Sequence, residues 1–451
     1  ELVPYSLYGK GNALMQTQQF EAAIEPLTQM LLKHQGHPLQ AEAMLARGIA
    51  RRNIGLGAEA SKDLEAFLQT KPTGVSLGHA LYEAALIDQK NKQPDKAATK
   101  LEALIRQVPD YPSMAEVLYE LGWSLQESNK ESDALKYFAK LVRDHPDSPL
   151  VAESAYYIGQ EAYSKSRWQD AAKQFRLACK KAADATLAEK AYYRLGWSLF
   201  KTQDYAASEG VFNEMAIKYP KGQLIFDAKT MVAECRFKSG QYQSALAGYE
   251  AARAGIESRN ENSKNVLDKA ERQVRELVFL HGGQSAAQLK KWQTAIDWYN
   301  ELRKRFPTSE YLPQIFYETG FAFQQLENTS KALEFYKEVA DNYRNATAAR
   351  ARFMMGEIHF ANRAYDKAIP EFQRVMYGFG ADKASADIKN WQAKSGFEAG
   401  RCSDLLLQEA KTDKARNKAK DYATGFYQYV LEKHPNHELA AKSRDRLEKL
   451  K

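Results

Sequence analysis

The 451-residue sequence is poor in the residues that disulfide-rich, β-rich and membrane-spanning proteins need. Its 3 cysteines cannot hold a chain of this length together, which excludes a disulfide scaffold. With only 25 glycines and 14 prolines, turn-forming residues are scarce, so a fold of many short strands is disfavoured. No run of about 18 consecutive apolar residues occurs, and therefore no membrane-spanning helix is predicted.

A strong charge of one sign is also lacking. The 64 Lys and Arg residues against 57 Asp and Glu leave a net charge of +7, which is weak for this length. A nucleic-acid binder normally shows a denser basic stripe, so no nucleic-acid partner is predicted. Apolar residues make up 44% of the chain and aromatic residues 11%, enough to fill a large core and to exclude disorder.

Small residues recur at a fixed interval along the chain. Seven of them are spaced 37 residues apart, and after one step of 50 the intervals are 37, 36 and 40 residues. These positions form the first track: Gly11, Gly48, Ala85, Gly122, Gly159, Gly196, Ala233, Gly283, Gly320, Gly356 and Gly396.

Further tracks keep the same phase. Twelve residues later follows a second track of small residues: Ala23, Ala60, Ala97, Ala134, Ala171, Ser208, Ala245, Ala295, Ala332 and Ala368. Four residues after each of these, a third track is large and apolar: Leu27, Leu64, Leu101, Phe138, Phe175, Phe212, Tyr249, Tyr299, Tyr336 and Phe372. Proline recurs at Pro72, Pro109, Pro146, Pro220 and Pro307. This shared phase indicates an internal repeat.

Each repeat is predicted to be two antiparallel helices. On both sides of a polar turn such as Ser128-Asn129-Lys130, apolar residues follow the helical spacing i, i+3, i+4, i+7. Small residues of the first two tracks are expected to meet and let the helix axes approach. A glycine costs about 1 kcal/mol inside a helix, so packing must compensate. The third-track residue is expected to fill space between repeats, and proline to end the second helix.

The pattern resembles the tetratricopeptide repeat (TPR). The best unit runs Leu118-Tyr-Glu-Leu-Gly-Trp-Ser-Leu, then Ala134-Leu-Lys-Tyr-Phe138, then His145-Pro-Asp-Ser. The resemblance covers about eleven units and implies an all-α, right-handed α-solenoid with a C-terminal capping helix. The 37-residue period and the frequent His/Tyr-Pro-x-Ser/Gly endings are similar in style to bacterial cell-envelope TPR families of the Tol–Pal coordinator and outer-membrane assembly lipoprotein types. This implies a periplasmic location, with the cytoplasm as the alternative.

The phase divides the chain into four segments. Residues 1–253 are predicted to hold about seven units, and 254–275 a loop or hinge followed by the start of an elongated helix. Residues 276–436 are predicted to hold about four units and 437–451 a capping helix. Within the polar stretch 258–265 we expect a loop, and between 401 and 420 an extended connection between helices.

No residue constellation points to catalysis. Nucleophile-elbow, phosphate-loop and zinc-helix motifs are missing, so we expect a non-enzyme without cofactor or metal. The pairs His34/His37 and His434/His437 lie at helix ends without further ligands and are interpreted as turn residues. Cys179 and Cys235 are expected to pack as small apolar side chains, and Cys402 to lie in a turn and be more exposed.

The resemblance also implies a ligand-binding groove. In the TPR family, the residues three before and one after the first-track position face the concave side, where stacked repeats align them. For the tyrosines, packing between repeats is the alternative interpretation, whereas Trp123, Trp197 and Phe321 favour contact with a ligand. The clamp of chaperone-binding TPR modules is not evident. The predicted partner-binding residues are Tyr82, Tyr119, Trp123, Gln126, Tyr156, Gln160, Tyr193, Trp197, Tyr317, Phe321 and Phe353.

Three functions fit these features. The first is a non-catalytic scaffold of the bacterial cell envelope that holds a peptide, a partner helix or a neighbouring subunit in its groove. The second is a structural subunit that builds a larger assembly through its outer faces and ends. The third is a glycan- or cell-wall-associated scaffold that works with a catalytic partner, because aromatic rings also stack on sugars.

Overall fold

The computed structural model describes residues 2–260 and 269–451, which fold into α-helices and one 3₁₀ turn. The helices of residues 2–225 are α1 Val3–Gln16, α2 Phe20–Lys33, α3 Gln40–Asn53, α4 Gly57–Gln69, α5 Gly74–Lys90, α6 Pro94–Gln107, α7 Met114–Glu127, α8 Glu131–Asp144, α9 Val151–Ser164, α10 Trp168–Lys181, α11 Ala185–Lys201 and α12 Tyr205–Lys218. They are followed by α13 Ile225–Lys238, α14 Tyr242–Asn260, α15 Lys269–Gln288, α16 Trp292–Arg305, α17 Leu312–Gln325, α18 Thr329–Asn342, α19 Ala346–Ala361, α20 Tyr365–Tyr377, the 3₁₀ turn Ala381–Lys383, α21 Ala386–Glu409, α22 Asp413–Lys433 and α23 Leu439–Lys449.

Consecutive helices pack as antiparallel pairs, and each pair packs against the next within a unit. Eleven such pairs lie within the described residues, followed by α23. Leu439, Leu447 and Leu450 of the C-terminal segment cover a small core around Tyr427, so α23 caps the last pair. The predicted all-α solenoid fold class with a capping helix is confirmed.

The chain divides into two compact units, Glu1–Ile225 and Phe226–Lys451, here the N-terminal and C-terminal units. They hold six and five helix pairs, where the sequence places seven and four around a boundary after residue 253. The seventh pair joins the C-terminal unit because Tyr249 of α14 shares a core with Phe279 and Trp298. Of the predicted segment 254–275, residues 254–260 belong to α14 and residues 269–275 to α15, so the loop expected at 258–265 does not include 258–260. Residues 261–268 lie outside the described residues.

The large third-track residue contacts the first-track glycine of its own pair. A Cβ atom added at Gly122 would lie 2.6 Å from the Phe138 ring, and one at Gly159 would lie 2.8 Å from Phe175. The sequence interpretation instead placed a small residue opposite the glycine and the ring between repeats. In these pairs the ring occupies the space of the missing side chain, so a larger residue than glycine would have to displace it, while the second-track residues are buried beside it.

The turn inside a pair ends with a residue in the left-handed conformation, seven positions after the first-track residue. In eight pairs this residue is not glycine, with φ between 56 and 64°. In the fourth pair, the Asn129 amide donates to the Gln126 carbonyl oxygen at 3.0 Å and the Lys130 amide to Leu125 at 2.8 Å. These bonds satisfy carbonyl groups that the helix end leaves open, which explains why the predicted polar turns are so uniform.

The end of the C-terminal unit departs from the expected pattern. Helix α21 extends to Glu409 and α22 begins at Asp413, so a short connection replaces the extended one predicted for residues 401–420. Cys402 therefore lies inside a helix and is fully buried, which corrects the expectation of an exposed turn residue. Because both helices are long, Gly400 rather than Gly396 receives the ring of Tyr427.

The glycine–ring contact predicts opposite effects for one substitution at two helical glycines. Gly122→Ala should lower the free energy of unfolding by about 1 to 3 kcal/mol, because the new methyl group overpacks against Phe138. Gly210→Ala, in a helix with open space around that position, should raise it by up to about 1 kcal/mol. Urea unfolding followed by circular dichroism measures both. A Gly122→Ala variant as stable as the parent would contradict the packing account.

Candidate functional site

A concave groove with a volume of about 800 Å³ lies within the C-terminal unit. It is lined mainly by the first helices of consecutive pairs, α15, α17, α19 and α21. Six aromatic side chains line it: Phe237, Tyr242, Trp292, Tyr317, Phe321 and Trp391. The polar and charged side chains are Gln284, Gln288, Lys290, Gln314, Glu318, Thr347, Arg350, Asp387 and Asn390. This set, the aromatic groove below, has the size and mixed polarity of a ligand site.

The helical register explains why these side chains share one surface. Tyr317 and Phe321 lie three before and one after Gly320, as the resemblance implies for groove residues. Gln314 lies three residues before Tyr317, and Arg350 occupies the same position relative to Gly356. Residues three, four and seven apart share a helix face. Gln314 and Arg350 therefore extend the groove surface by about one turn along α17 and α19.

Several rings of the groove are held in place by their neighbours. Tyr317 is only 6% exposed and its ring centroid lies 5.4 Å from that of Tyr336. Phe321 meets Trp292 edge to face at 5.8 Å. Trp391 rests on Phe353 at 5.2 Å. The groove surface is therefore fixed before any ligand arrives.

A carboxylate in the groove is already saturated with hydrogen bonds. Glu318 accepts from the amides of Gln284 and Gln314, each at 2.9 Å, and from the hydroxyl of Tyr299. Burial, together with the Glu318 charge, raises the pKa of Tyr299 well above its usual value, so the hydroxyl remains a donor. Glu318 is thus held in place by three hydrogen-bond donors.

A similar network lies beside Phe237 at the other end of the groove. Nδ1 of His281 lies 2.6 Å from Oε1 of Glu234, and the same oxygen accepts from the Tyr249 hydroxyl at 2.9 Å. The imidazole also stacks on Phe237, with ring centroids 4.6 Å apart. These contacts fix the Phe237 ring that lines the groove.

Arg350 stands at the middle of the groove lining. Its guanidinium carbon lies 4.5 Å from the ring centroid of Tyr317 and 5.6 Å from that of Trp391. The side chain is exposed and contacts no carboxylate among the described residues. The sequence interpretation did not select Arg350, although its position one turn before Phe353 on the same face would have indicated it.

The predicted residues of the N-terminal unit are mostly half-buried in ring clusters. Trp123 meets Tyr157 edge to face at 4.4 Å, and Tyr119 and Tyr156 pack on the third-track rings of their own pairs. Tyr193 packs in the same way on Phe212. Tyr82 and Trp197 are also half-buried. Packing therefore accounts for much of this aromatic stripe.

Two predicted glutamines meet at a small pocket of the N-terminal unit. Gln126 and Gln160 line a volume of about 200 Å³, together with Phe138 and Tyr157. Phe353 in the C-terminal unit does not line the aromatic groove, because it is 9% exposed and covered by Trp391. Of the predicted residues, Tyr317 and Phe321 are those that the structure brings into the aromatic groove.

Trp292 and Trp391 are groove residues that the repeat phase did not reveal. Trp292 begins a second helix, whereas the prediction considered only first helices. Trp391 lies five residues before Gly396, outside the two positions considered, in a helix of 24 residues whose phase has shifted. A helical wheel of α21 aligned on Gly400 would have been needed to place it.

Metal-binding and thiol chemistry have no support in the described residues. No group of three or more His, Cys, Asp or Glu side chains within residues 2–260 and 269–451 could hold a metal ion. Burial raises the pKa of the Cys179 and Cys402 thiols to about 12, so they are protonated near neutral pH. Where the structure describes the chain, no helix has the length and apolarity to cross a bilayer.

The tetratricopeptide repeat family model matches residues 8–74, 82–149, 119–186, 158–223 and 317–401. These matches cover well over half of the chain, which therefore belongs to the tetratricopeptide repeat family. The repeats of this family typically form non-catalytic scaffolds for protein–protein interaction. No curated protein matches the sequence significantly.

The sequence and structure also match solved structures, including three from bacteria. The C-terminal part of a TPR repeat-containing protein from Cytophaga hutchinsonii is 15% identical, covering 65% of this chain and 99% of that one, with a TM-score of 0.45. A tetratricopeptide repeat protein from Parabacteroides merdae is 14% identical, with 61% and 97% covered and a TM-score of 0.35. PilF of Pseudomonas aeruginosa is 16% identical, with 50% and 96% covered and a TM-score of 0.39.

The carboxylate of Glu357, near the C-terminal end of α19, has an oxygen without a hydrogen-bond donor in the described part of the chain. Oε1 of Glu357 in α19 is buried and has no partner among the described residues. Burial, and secondarily the charge of Glu398, raise the pKa of Glu357 to about 7. Arg401 donates to Glu398 at 2.7 Å and so leaves Glu357 without an ion-pair partner. Glu357 therefore retains its proton in slightly acidic solution.

Glu357→Gln should remove a pH dependence of stability. The folded pKa of about 7 lies above an unfolded value of about 4.3, so the native state binds more protons between these values, and stability falls as pH rises through that interval. At about pH 8 the variant should be more stable than the parent by about 1 kcal/mol, after allowance for solvent screening. At about pH 4 the two should be alike. Urea unfolding at both pH values measures this.

Glu448→Gln, at an exposed position of α23, controls for the loss of one surface charge. If Glu357→Gln and the parent showed the same difference in stability at both pH values, the assignment of an unsatisfied, proton-binding carboxylate would be wrong.

Proposed function

We propose that the chain is a non-catalytic scaffold that binds a segment of a partner protein in the aromatic groove of the C-terminal unit. The observation that carries this proposal is the convergence of six aromatic side chains with amide and charged groups on one concave surface. Tryptophan, tyrosine and arginine are the residue types that contribute most to binding energy at protein interfaces.

The packing of the rings supports binding at low entropic cost. Tyr317, Phe321 and Trp391 each contact another ring of the unit, so binding requires little further ordering of these side chains. Polar groups between the rings remain available. Gln288 is exposed and Thr347 is half-exposed, and both line the groove. Such side chains can exchange hydrogen bonds with the backbone of an extended peptide.

The alternative is a structural subunit whose outer faces and ends build a larger assembly. The aromatic groove would then result from the packing of successive helix pairs and would bind no ligand. Substitutions in the groove distinguish the two functions, because an assembly built by the outer faces does not require the groove rings.

Trp292→Ala combined with Trp391→Ala should strongly weaken peptide binding while helicity is kept. The full chain is probed on an array of short random peptides, acetylated and amidated at their ends, and the binders are measured in solution. Losing two central aromatic contacts should weaken binding by about a hundredfold or more. Thermal unfolding of each variant separates lost binding from lost structure.

Matched variants locate the site. Trp168→Ala removes a half-buried tryptophan of α10 outside the groove and should bind as the parent does. Trp123→Ala with Trp197→Ala tests the N-terminal residues that the resemblance implies. Unchanged binding in the Trp292/Trp391 variant would overturn the groove proposal, and loss only in the Trp123/Trp197 variant would move the site to the N-terminal unit.

We further propose the bacterial cell envelope as the setting, with a periplasmic location and the cytoplasm as the alternative. Its support is the 37-residue period and the Pro-x-Ser/Gly endings of the repeats, which are similar to those of envelope TPR families. Fractionation of cells that express the full-length gene product is the test. Release by osmotic shock with periplasmic markers is the expected result, and retention with cytoplasmic markers would contradict it.

A further inference from the structure

The arginines of the C-terminal unit differ in whether their guanidinium groups contact carboxylates. Arg352 binds both Asp341 and Glu371, and Arg401 binds Glu398. Arg350, two residues before Arg352, contacts aromatic rings instead, and no carboxylate oxygen of the described residues lies within 4.0 Å of it. It is therefore a groove arginine whose hydrogen-bonding edge is open to solvent.

Two rings restrain the Arg350 side chain. Tyr317 belongs to α17 and Trp391 to α21, the first helices on either side of α19, and the guanidinium lies over both rings. Stacking on an aromatic face occupies the face of the guanidinium and leaves its edge of N–H donors free. A planar fork of donors matches a carboxylate with two parallel hydrogen bonds. The restraint also lowers the entropy lost when such a bond forms.

The acidic side chains of the groove already have stabilising contacts, whereas its cations have no acidic partner among the described residues. Glu318 has three hydrogen-bond donors, and Asp387 lies in the first turn of α21, where the helix N-terminus favours a negative charge. Lys290, like Arg350, lines the groove without an acidic partner among the described residues. The cations of the groove are therefore available to an acidic ligand group, which complements their charge.

The groove lining continues on both sides of Arg350. Trp292 and Phe321 lie toward the earlier pairs, and Asp387 and Trp391 toward the last. A bound segment thus has rings to contact before and after the arginine. This arrangement favours an acidic side chain within a chain over a terminal carboxylate.

We propose that Arg350 is the specificity-determining residue of the aromatic groove, and that it selects an extended partner segment carrying an internal aspartate or glutamate flanked by apolar or aromatic side chains. The inference rests on the proposed function and identifies the chemistry of the partner segment. Arg350 reads the carboxylate, and the rings around it bind the flanking side chains.

The test uses pairs of acetylated, amidated peptides that differ only in Glu against Gln or Asp against Asn. Dissociation constants are measured by fluorescence anisotropy with the full chain. The parent should bind the acidic member at least about tenfold more tightly, as a charge-assisted bidentate contact requires. Arg350→Met should reduce this ratio to about one while both peptides still bind through the rings. Arg350→Lys should retain a smaller preference, because it keeps the charge without the fork.

Control variants and peptides make each outcome decisive. Arg416→Met, an exposed arginine of α22 outside the groove, should keep the full ratio. Equal binding of both peptide members by the parent would overturn the inference, as would a preference that survives in Arg350→Met. Much tighter binding of a peptide with a free C-terminal carboxylate than of its amidated form would show that the groove recognises chain ends instead. If peptides bind in a Trp292- and Trp391-dependent manner without an acidic preference, this inference fails and the proposed function stands. If none binds, both fail.

Discussion

The contact between a first-track glycine and the third-track side chain of the same pair sets the geometry on which the rest of the structure depends. The ring of Phe138 occupies the space that a side chain at Gly122 would need, and Gly320 receives Tyr336 in the same way. The separation of the two helices in a pair is thereby fixed by one side chain. Because each pair also packs on the next within its unit, this contact helps to set where the groove residues of α15, α17 and α19 lie.

The identity of the third-track residue also decides how polar the groove is. In the N-terminal unit it is leucine or phenylalanine, whereas Tyr249, Tyr299 and Tyr336 follow in the C-terminal unit. A buried hydroxyl needs an acceptor, and these tyrosines donate to side chains of first helices, Glu234, Glu318 and Gln324 respectively. Of these acceptors, Glu318 lines the aromatic groove.

The Tyr299 hydroxyl thus helps to hold Glu318 at the surface of the aromatic groove. In the N-terminal unit, where Phe138 has no hydroxyl, the neighbouring Trp123 and Tyr157 pack directly on each other and on that ring. The third-track residue therefore differs between the two sites. It is a tyrosine that hydrogen-bonds to a carboxylate at the aromatic groove, and a phenylalanine in the closed aromatic cluster around Trp123.

The repeat phase was sufficient to predict the helix pairs, their turns and the capping helix, because one spacing recurs with little change. The resemblance to the family, and not the phase itself, implied groove positions for Tyr317 and Phe321, which line the aromatic groove. The phase could not predict Trp391 or the burial of Cys402, because α21 is longer than the other helices of its unit and shifts the phase to Gly400. Spacing alone also could not predict that Arg350 lacks an acidic partner among the described residues. Arg352, only two residues away, has two such partners, Asp341 and Glu371. Such pairing depends on the rotation of each helix within the stack.

Site-specific photo-crosslinking in living cells tests the central claim most directly. A photoreactive residue at Gln288, exposed in the groove, is compared with one at Lys337, exposed on the second helix α18. Mass spectrometry then identifies the crosslinked segment. The account predicts that position 288 crosslinks to a defined segment of a partner protein and that position 337 does not. Crosslinks to a partner from position 337, with none from position 288, would contradict it.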